Sequence, residues 1–144
     1  MQGKYSVKVS NLVVKGFANN LDFGETRHNT IYINNLCLRD RKVTEAQLGG
    51  MFAAETLEDI FTHEYGHVLE NNSRVSPEKI FSEIINIKND NERIRDELER
   101  NISGYASKVI CEGQYLEITS EALVKAEKGS MLANKLIDKI RSGI

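Results

Sequence analysis

Apolar and polar residues alternate at Tyr5, Val7 and Val9, and apolar ones then cluster at Leu12, Val13 and Val14. That pattern predicts one or two strands within residues 4–14. Asn19, Asn20, Asp22 and Gly24 interrupt it and predict a loop. A second β-rich segment follows at Thr30, Ile31, Tyr32, Ile33 and Asn34, with polar residues on both sides. Residues 35–54 carry neither period clearly, and Gly49 with Gly50 breaks whatever precedes them.

From Thr56 onward the period is that of a helix. Thr56 and Asp59 have the spacing of a capping box, in which hydroxyl and carboxylate satisfy free N–H groups of a first turn. Leu57, Ile60, Phe61, Tyr65 and Val68 recur at helical intervals, predicting a helix with one buried face that ends at Asn71, Asn72 and Ser73. Pro77 after Ser76 suits the first turn of a second helix, with Ile80, Phe81, Ile84 and Ile85 inward. A polar break at residues 88–91 precedes a charged helix over 92–100, with Ile94 and Leu98 inward. Two more helices are predicted over 114–126 and 131–140, separated by Gly129 and Ser130. The fold class is α+β in a single domain, 1–144, mainly strands and loops over 1–54 and mainly helical over 55–144.

Composition narrows this only by exclusion. A chain of 144 residues can bury a core without disulfide staples, and 40% hydrophobic with 28% charged residues is ordinary for a globular domain. A net charge of −2 supplies no basic field, so neither nucleic acid nor an anionic membrane is an expected partner. No apolar run approaches a membrane span or a signal-peptide core. Cys37 and Cys111 stand alone without a CxxC pair, which points to a reduced, cytoplasmic chain.

The chemistry sits at residues 63–67, which read His63-Glu64-Tyr65-Gly66-His67, an HExxH motif. Four residues advance a helix by slightly more than one turn, so both imidazoles project on one side and can share a zinc ion. Glu64, one position round, is placed to take a proton from a metal-bound water. On a helical wheel the two histidines border the apolar stripe, with Asp59 and Glu70 read as lying on the other side. Catalytic zinc takes three protein ligands. Glu70 and Ser73 stand where the longer metzincin motif needs glycine and histidine, and His28 reads as a surface residue, so the third ligand is expected to be a carboxylate. Glu92 echoes an NExxSD element without its serine. Glu117 and Glu121 lie four apart on one helix face, where the first could bind metal and the second orient a ligand histidine.

HEYGH, followed by Tyr105-Ala106-Ser107 and then by Glu117, Glu121 and Ala122, resembles the catalytic domain of the anthrax lethal factor family. That zincin family includes many peptidase domains of phages and mobile elements. The resemblance spans roughly residues 25–140, with only HExxH highly specific. It implies a zincin-like fold, a small mixed or antiparallel sheet packed on the HExxH helix with further C-terminal helices. It further implies His63, His67 and Glu117 as zinc ligands, Glu64 as general base, Glu121 behind a ligand histidine, and Tyr105 as hydroxyl donor to the reacting carbonyl. The gap from Tyr105 to Glu117 is twelve residues, five more than the family's usual spacing, which a surface insertion around residues 109–113 would absorb. Glu112 as ligand and Tyr115 as hydroxyl donor are the alternatives.

The expected activity is that of a zinc-dependent endopeptidase, cytoplasmic or delivered with a phage particle. Its extended peptide substrate is expected to dock along Thr30–Asn34 as an edge strand. The rival is a zinc-stabilised structural or binding domain of a phage particle. An intact Glu64 argues against it, because holding zinc requires no base.

Overall fold

The structure, a computed structural model, describes residues 9–17, 22–48, 50–111 and 117–144. Three strands, β1 (Asn11–Lys15), β2 (Gly24–Arg27) and β3 (Thr30–Asn34), form a mixed sheet in the order β1-β3-β2. β1 runs parallel to β3, with Leu12 opposite Ile31 and Val14 opposite Ile33. β2 and β3 are an antiparallel hairpin, with Gly24 opposite Ile33 and Thr26 opposite Ile31. The helices are α1 (Asn35–Arg39), α2 (Arg41–Leu48), α3 (Leu57–Asn72), α4 (Pro77–Ile85), α5 (Asn91–Asn101), α6 (Gly104–Cys111), α7 (Glu117–Glu127) and α8 (Met131–Ser142). The protein is thus α+β, with eight helices and a three-stranded sheet among the described residues.

Helix α3 begins where its cap predicts. Thr56 Oγ1 accepts from the Asp59 amide at 3.2 Å while Asp59 Oδ2 accepts from the Thr56 amide at 3.2 Å. It is buried on two sides rather than one, because β2 and β3 pack against one flank and α7 against the other. Ile31 and Ile33 from the sheet, Val68 and Leu69 from α3, and Ile118 and Leu123 from α7 share the core. α8 packs behind α7 and buries Leu136, Ile137 and Ile140. The short helix α4 starts on Ser76 and Pro77 and stops at Asn86, whose φ of 56° ends the helical path.

Two expectations are corrected here, and one untyped stretch is resolved. Thr30–Asn34 is the central strand, bonded on both edges, so its main chain offers nothing to a docking peptide. The partner on its second edge is β2, which begins at Gly24, expected in a loop, and continues through Glu25–Arg27, for which the sequence predicts no element. Its residues Gly24, Glu25, Thr26 and Arg27 include no apolar side chain from which a period could be read. The 1–54 stretch also holds two helices, α1 and α2, besides its strands; α1 is started by Asn34, whose side chain accepts from the Leu36 amide at 3.2 Å. Among the described residues no helix is long and apolar enough to cross a membrane.

Candidate metal centre

Two helices build the site, and a glycine sets their separation. A Cβ at Gly66 would lie 2.4 Å from the Ser120 Cα, so only glycine lets α3 and α7 approach this closely. Ser120 stands between Glu117 and Glu121 on α7, and the close approach carries both carboxylates to the histidines of α3.

Glu117 Oε2 lies 3.0 Å from His63 Nε2 and 3.4 Å from His67 Nε2. On the far side of the first ring, His63 Nδ1 lies 2.9 Å from Glu121 Oε2. Glu121 is completely buried, and its other oxygen accepts from the Ala53 amide at 3.1 Å and the Ser103 hydroxyl at 2.8 Å. A carboxylate so placed accepts, which assigns the ring proton of His63 to Nδ1 and leaves Nε2 with a lone pair. That lone pair, the facing nitrogen of His67 and Glu117 Oε2 converge. Glu117 Oε2 is buried and receives no hydrogen bond of acceptable geometry despite its short distances.

Converging lone pairs call for a cation. A proton is one answer. Burial disfavours a charged His63 ring, but the Glu117 and Glu121 carboxylates outweigh it and carry the pKa up to about 10. Burial likewise opposes the Glu117 charge, and the two histidines overcome it, bringing that carboxyl down to about 2. A divalent ion is the other answer, and the donor set fits it. Tetrahedral zinc with bonds of about 2.0–2.1 Å has ligand-to-ligand edges of about 3.3–3.4 Å, close to the 3.0 and 3.4 Å found. Any such ion would replace the proton.

Glu64 also belongs to this cluster, since it, His63 and His67 each offer a ligand atom within 4.8 Å of the others. As the third ligand it is the weaker candidate, because Thr26 Oγ1 on β2 already holds its Oε2 at 2.6 Å. Its carboxyl lies on Gly24, where a Cβ would come within 2.8 Å of Oε1. Neither β2 residue was singled out as functional in the sequence, and nor were Ser103 and Ala53. All four belong to strands or loops without a motif.

The cleft beside these groups has a volume of about 410 Å³ and is lined by Gly24, Thr26, Glu64 and Tyr105 among others. Tyr105 is held by its amide, which donates to Met51 O at 2.9 Å, and by its ring, 4.6 Å from that of Phe52. Burial, with the neighbouring carboxylates adding to it, pushes its hydroxyl up to about 12, so it stays protonated at neutral pH. Glu70 lines the same cleft rather than the opposite side of α3. Seven residues are nearly two full turns, which returns Glu70 to the face of His63. Burial and the Glu117 and Glu78 charges raise its carboxyl to about 7, against the pull of His67.

His28 sits in the exposed turn between β2 and β3, away from the cleft. Glu92 is exposed in the first turn of α5 and does not line it. Residues 109–111, placed in a loop insertion by the spacing argument, belong to α6. Glu112 and Tyr115 lie outside the described residues. No protein-family model, curated protein or solved structure matches this chain.

Proposed function

We propose that the chain is a zinc-dependent endopeptidase of the zincin type, using HExxH and a distal glutamate. The observation that carries this reading is the meeting of Glu117 Oε2 with both histidine Nε2 atoms while Glu121 occupies the outer nitrogen of His63. An acceptor behind a ligand histidine fixes its tautomer and orientation, the arrangement that metal-binding histidines use. The open cleft favours a catalytic over a purely structural ion, since structural zinc sites are closed. The resemblance to the lethal factor family supports the same assignment and a phage or mobile-element setting.

His63, His67 and Glu117 would hold the zinc. When bound there, zinc polarises a substrate carbonyl and makes water acidic enough to ionise near neutral pH. Glu64 receives the proton of the attacking water and returns it to the leaving amine. Tyr105, protonated, donates to the oxygen that becomes negative as the peptide carbonyl is attacked. With β3 paired on both sides, β2 is the edge strand beside the cleft among the described residues, and its main chain is what an extended peptide would meet.

The decisive experiment combines native mass spectrometry with cleavage of a mixed peptide pool. The expected outcome is one zinc per chain in the wild type, in Glu64→Gln and in Glu92→Ala, loss of zinc in Glu117→Ala, and cleavage by the wild type but not by Glu64→Gln. Zinc lost from Glu92→Ala and kept by Glu117→Ala would overturn the ligand assignment. Bound zinc with no cleavage by either wild type or Glu64→Gln would favour the structural reading.

A further inference from the structure

β2 has no apolar residue, yet one of its faces is shaped to a single side chain of α3. Alternate residues of a strand share a face. Gly24 and Thr26 therefore point together toward α3, while Glu25 and Arg27 pair with each other at 2.9 Å in solvent. Thr26 Oγ1 lies 2.6 Å from Glu64 Oε2 and 3.0 Å from the Glu64 carbonyl oxygen. A hydroxyl has one proton to give, and 2.6 Å is the length of a charge-assisted bond, so the proton goes to the carboxylate. Beneath it, a Cβ on residue 24 would fall 2.8 Å from Oε1 and 2.9 Å from Cγ of Glu64, so glycine is what allows the carboxyl to lie on the strand.

Glu64 has reason to move if released. Its carboxylate is within 4.8 Å of the ring nitrogens and would compete with Glu117 for any cation held between them. An anchor on Oε2 prevents that rotation and leaves Oε1 as the oxygen for proton transfer. On the hydrolase reading above, we infer that Thr26 is a positioning residue for the general base, holding Glu64 away from the metal ligands and over the glycine floor at Gly24. The same short strand then serves two ends, its outer edge available to an extended peptide and its inner face setting the base.

The test separates the contact from the catalysis. Thr26→Val keeps the shape and removes the donor, Thr26→Ser keeps the donor, and Thr26→Ala serves if the valine variant fails to fold. In metal-free protein labelled with ¹³C at glutamate Cδ, the Glu64 resonance, assigned by its loss in Glu64→Gln, should move in Thr26→Val and stay near its place in Thr26→Ser. With zinc loaded, kcat for a cleaved peptide should fall about ten- to a hundredfold in Thr26→Val. KM and zinc stoichiometry should be unchanged, and Thr26→Ser should restore most of the rate. A Glu64 resonance unmoved by loss of the hydroxyl overturns the contact itself, whatever the protein does to peptides. Cleavage with an undiminished kcat in Thr26→Val, or with Thr26→Ser equally slow, overturns the positioning role and leaves the hydrolase reading intact. Bound zinc without any cleavage by the wild type overturns both.

Discussion

Helix α3 meets α7 and β2 through two glycines that do opposite things. On the α7 side, Gly66 lies against the main chain of Ser120, which cannot move without moving the helix. Beside that contact Glu121 is fully engaged, accepting from Ala53, Ser103 and His63, while Glu117 Oε2, Thr119 Oγ1 and Ser120 Oγ are buried without a hydrogen bond among the described residues. On the β2 side, Gly24 lies against the Glu64 side chain from Cγ to Oε1, a side chain rather than a main chain, and one hydroxyl restrains its carboxylate. The first wall fixes where the Glu117 and Glu121 carboxylates stand relative to the histidines by backbone contact. The second holds the Glu64 carboxylate by a single part-buried hydrogen bond from the edge strand. Damage to one should destroy the site and damage to the other should only mistime it.

The largest effect is expected from Gly66→Ala. Its methyl group meets backbone at 2.4 Å, so α3 and α7 must separate, at a cost at or above the usual overpacking range of about 1–3 kcal/mol. Thermal unfolding and zinc stoichiometry should fall together; a variant that melts like the wild type and keeps zinc would break the contrast. Gly24→Ala should cost less than about 1 kcal/mol, because the side chain it strikes can yield. Its kcat should nonetheless drop while zinc is retained, and equal loss of stability in the two alanine variants would erase the distinction between the walls.

The smallest effect concerns the tie between the start of α3 and the end of α7. Lys128 Nζ donates to Ala53 O at 2.8 Å and lies 3.2 Å from Asp59 Oδ2, tying the start of α3 to the end of α7. Burial opposes the Asp59 charge, but the Glu55 and Thr56 amides and Lys128 outweigh it and hold the carboxyl below its ordinary value. A depressed folded pKa means the unfolded chain binds the proton first. The stabilisation is therefore complete above the unfolded value of about 3.9 and lost as pH falls through the folded one. Urea midpoints should show Asp59→Asn weaker than wild type at pH 7, with the gap closing below about pH 4. A gap independent of pH would assign the loss to the cap alone. Catalysis should be untouched.

The legible parts of this protein were those in which local chemistry and burial agree. Thr56 and Asp59 announce the start of α3, Ser76 and Pro77 that of α4, and both helices begin there. The pairing of Glu117 with Glu121 could be suspected because one helix turn brings both to the same partner. β2 escaped because its inner face meets a carboxylate, so the residues that face requires are a glycine and a hydroxyl. The wheel sets Glu70 opposite the cleft it lines, and a strand's own letters do not say how many of its edges are bonded, which is why the central position of β3 is not legible in them.

Taken alone, the chain's letters determined which groups are available: two imidazoles and a carboxylate on one stretch of helix, with a spacing that follows from 3.6 residues per turn. They also determined the helix boundaries that caps and proline impose. Only tertiary packing decided which distant carboxylate reaches the rings, which strand is central in the sheet, and which hydroxyl restrains Glu64. Those outcomes depend on how closely two backbones can approach and which edges pair, and such distances belong to no single segment.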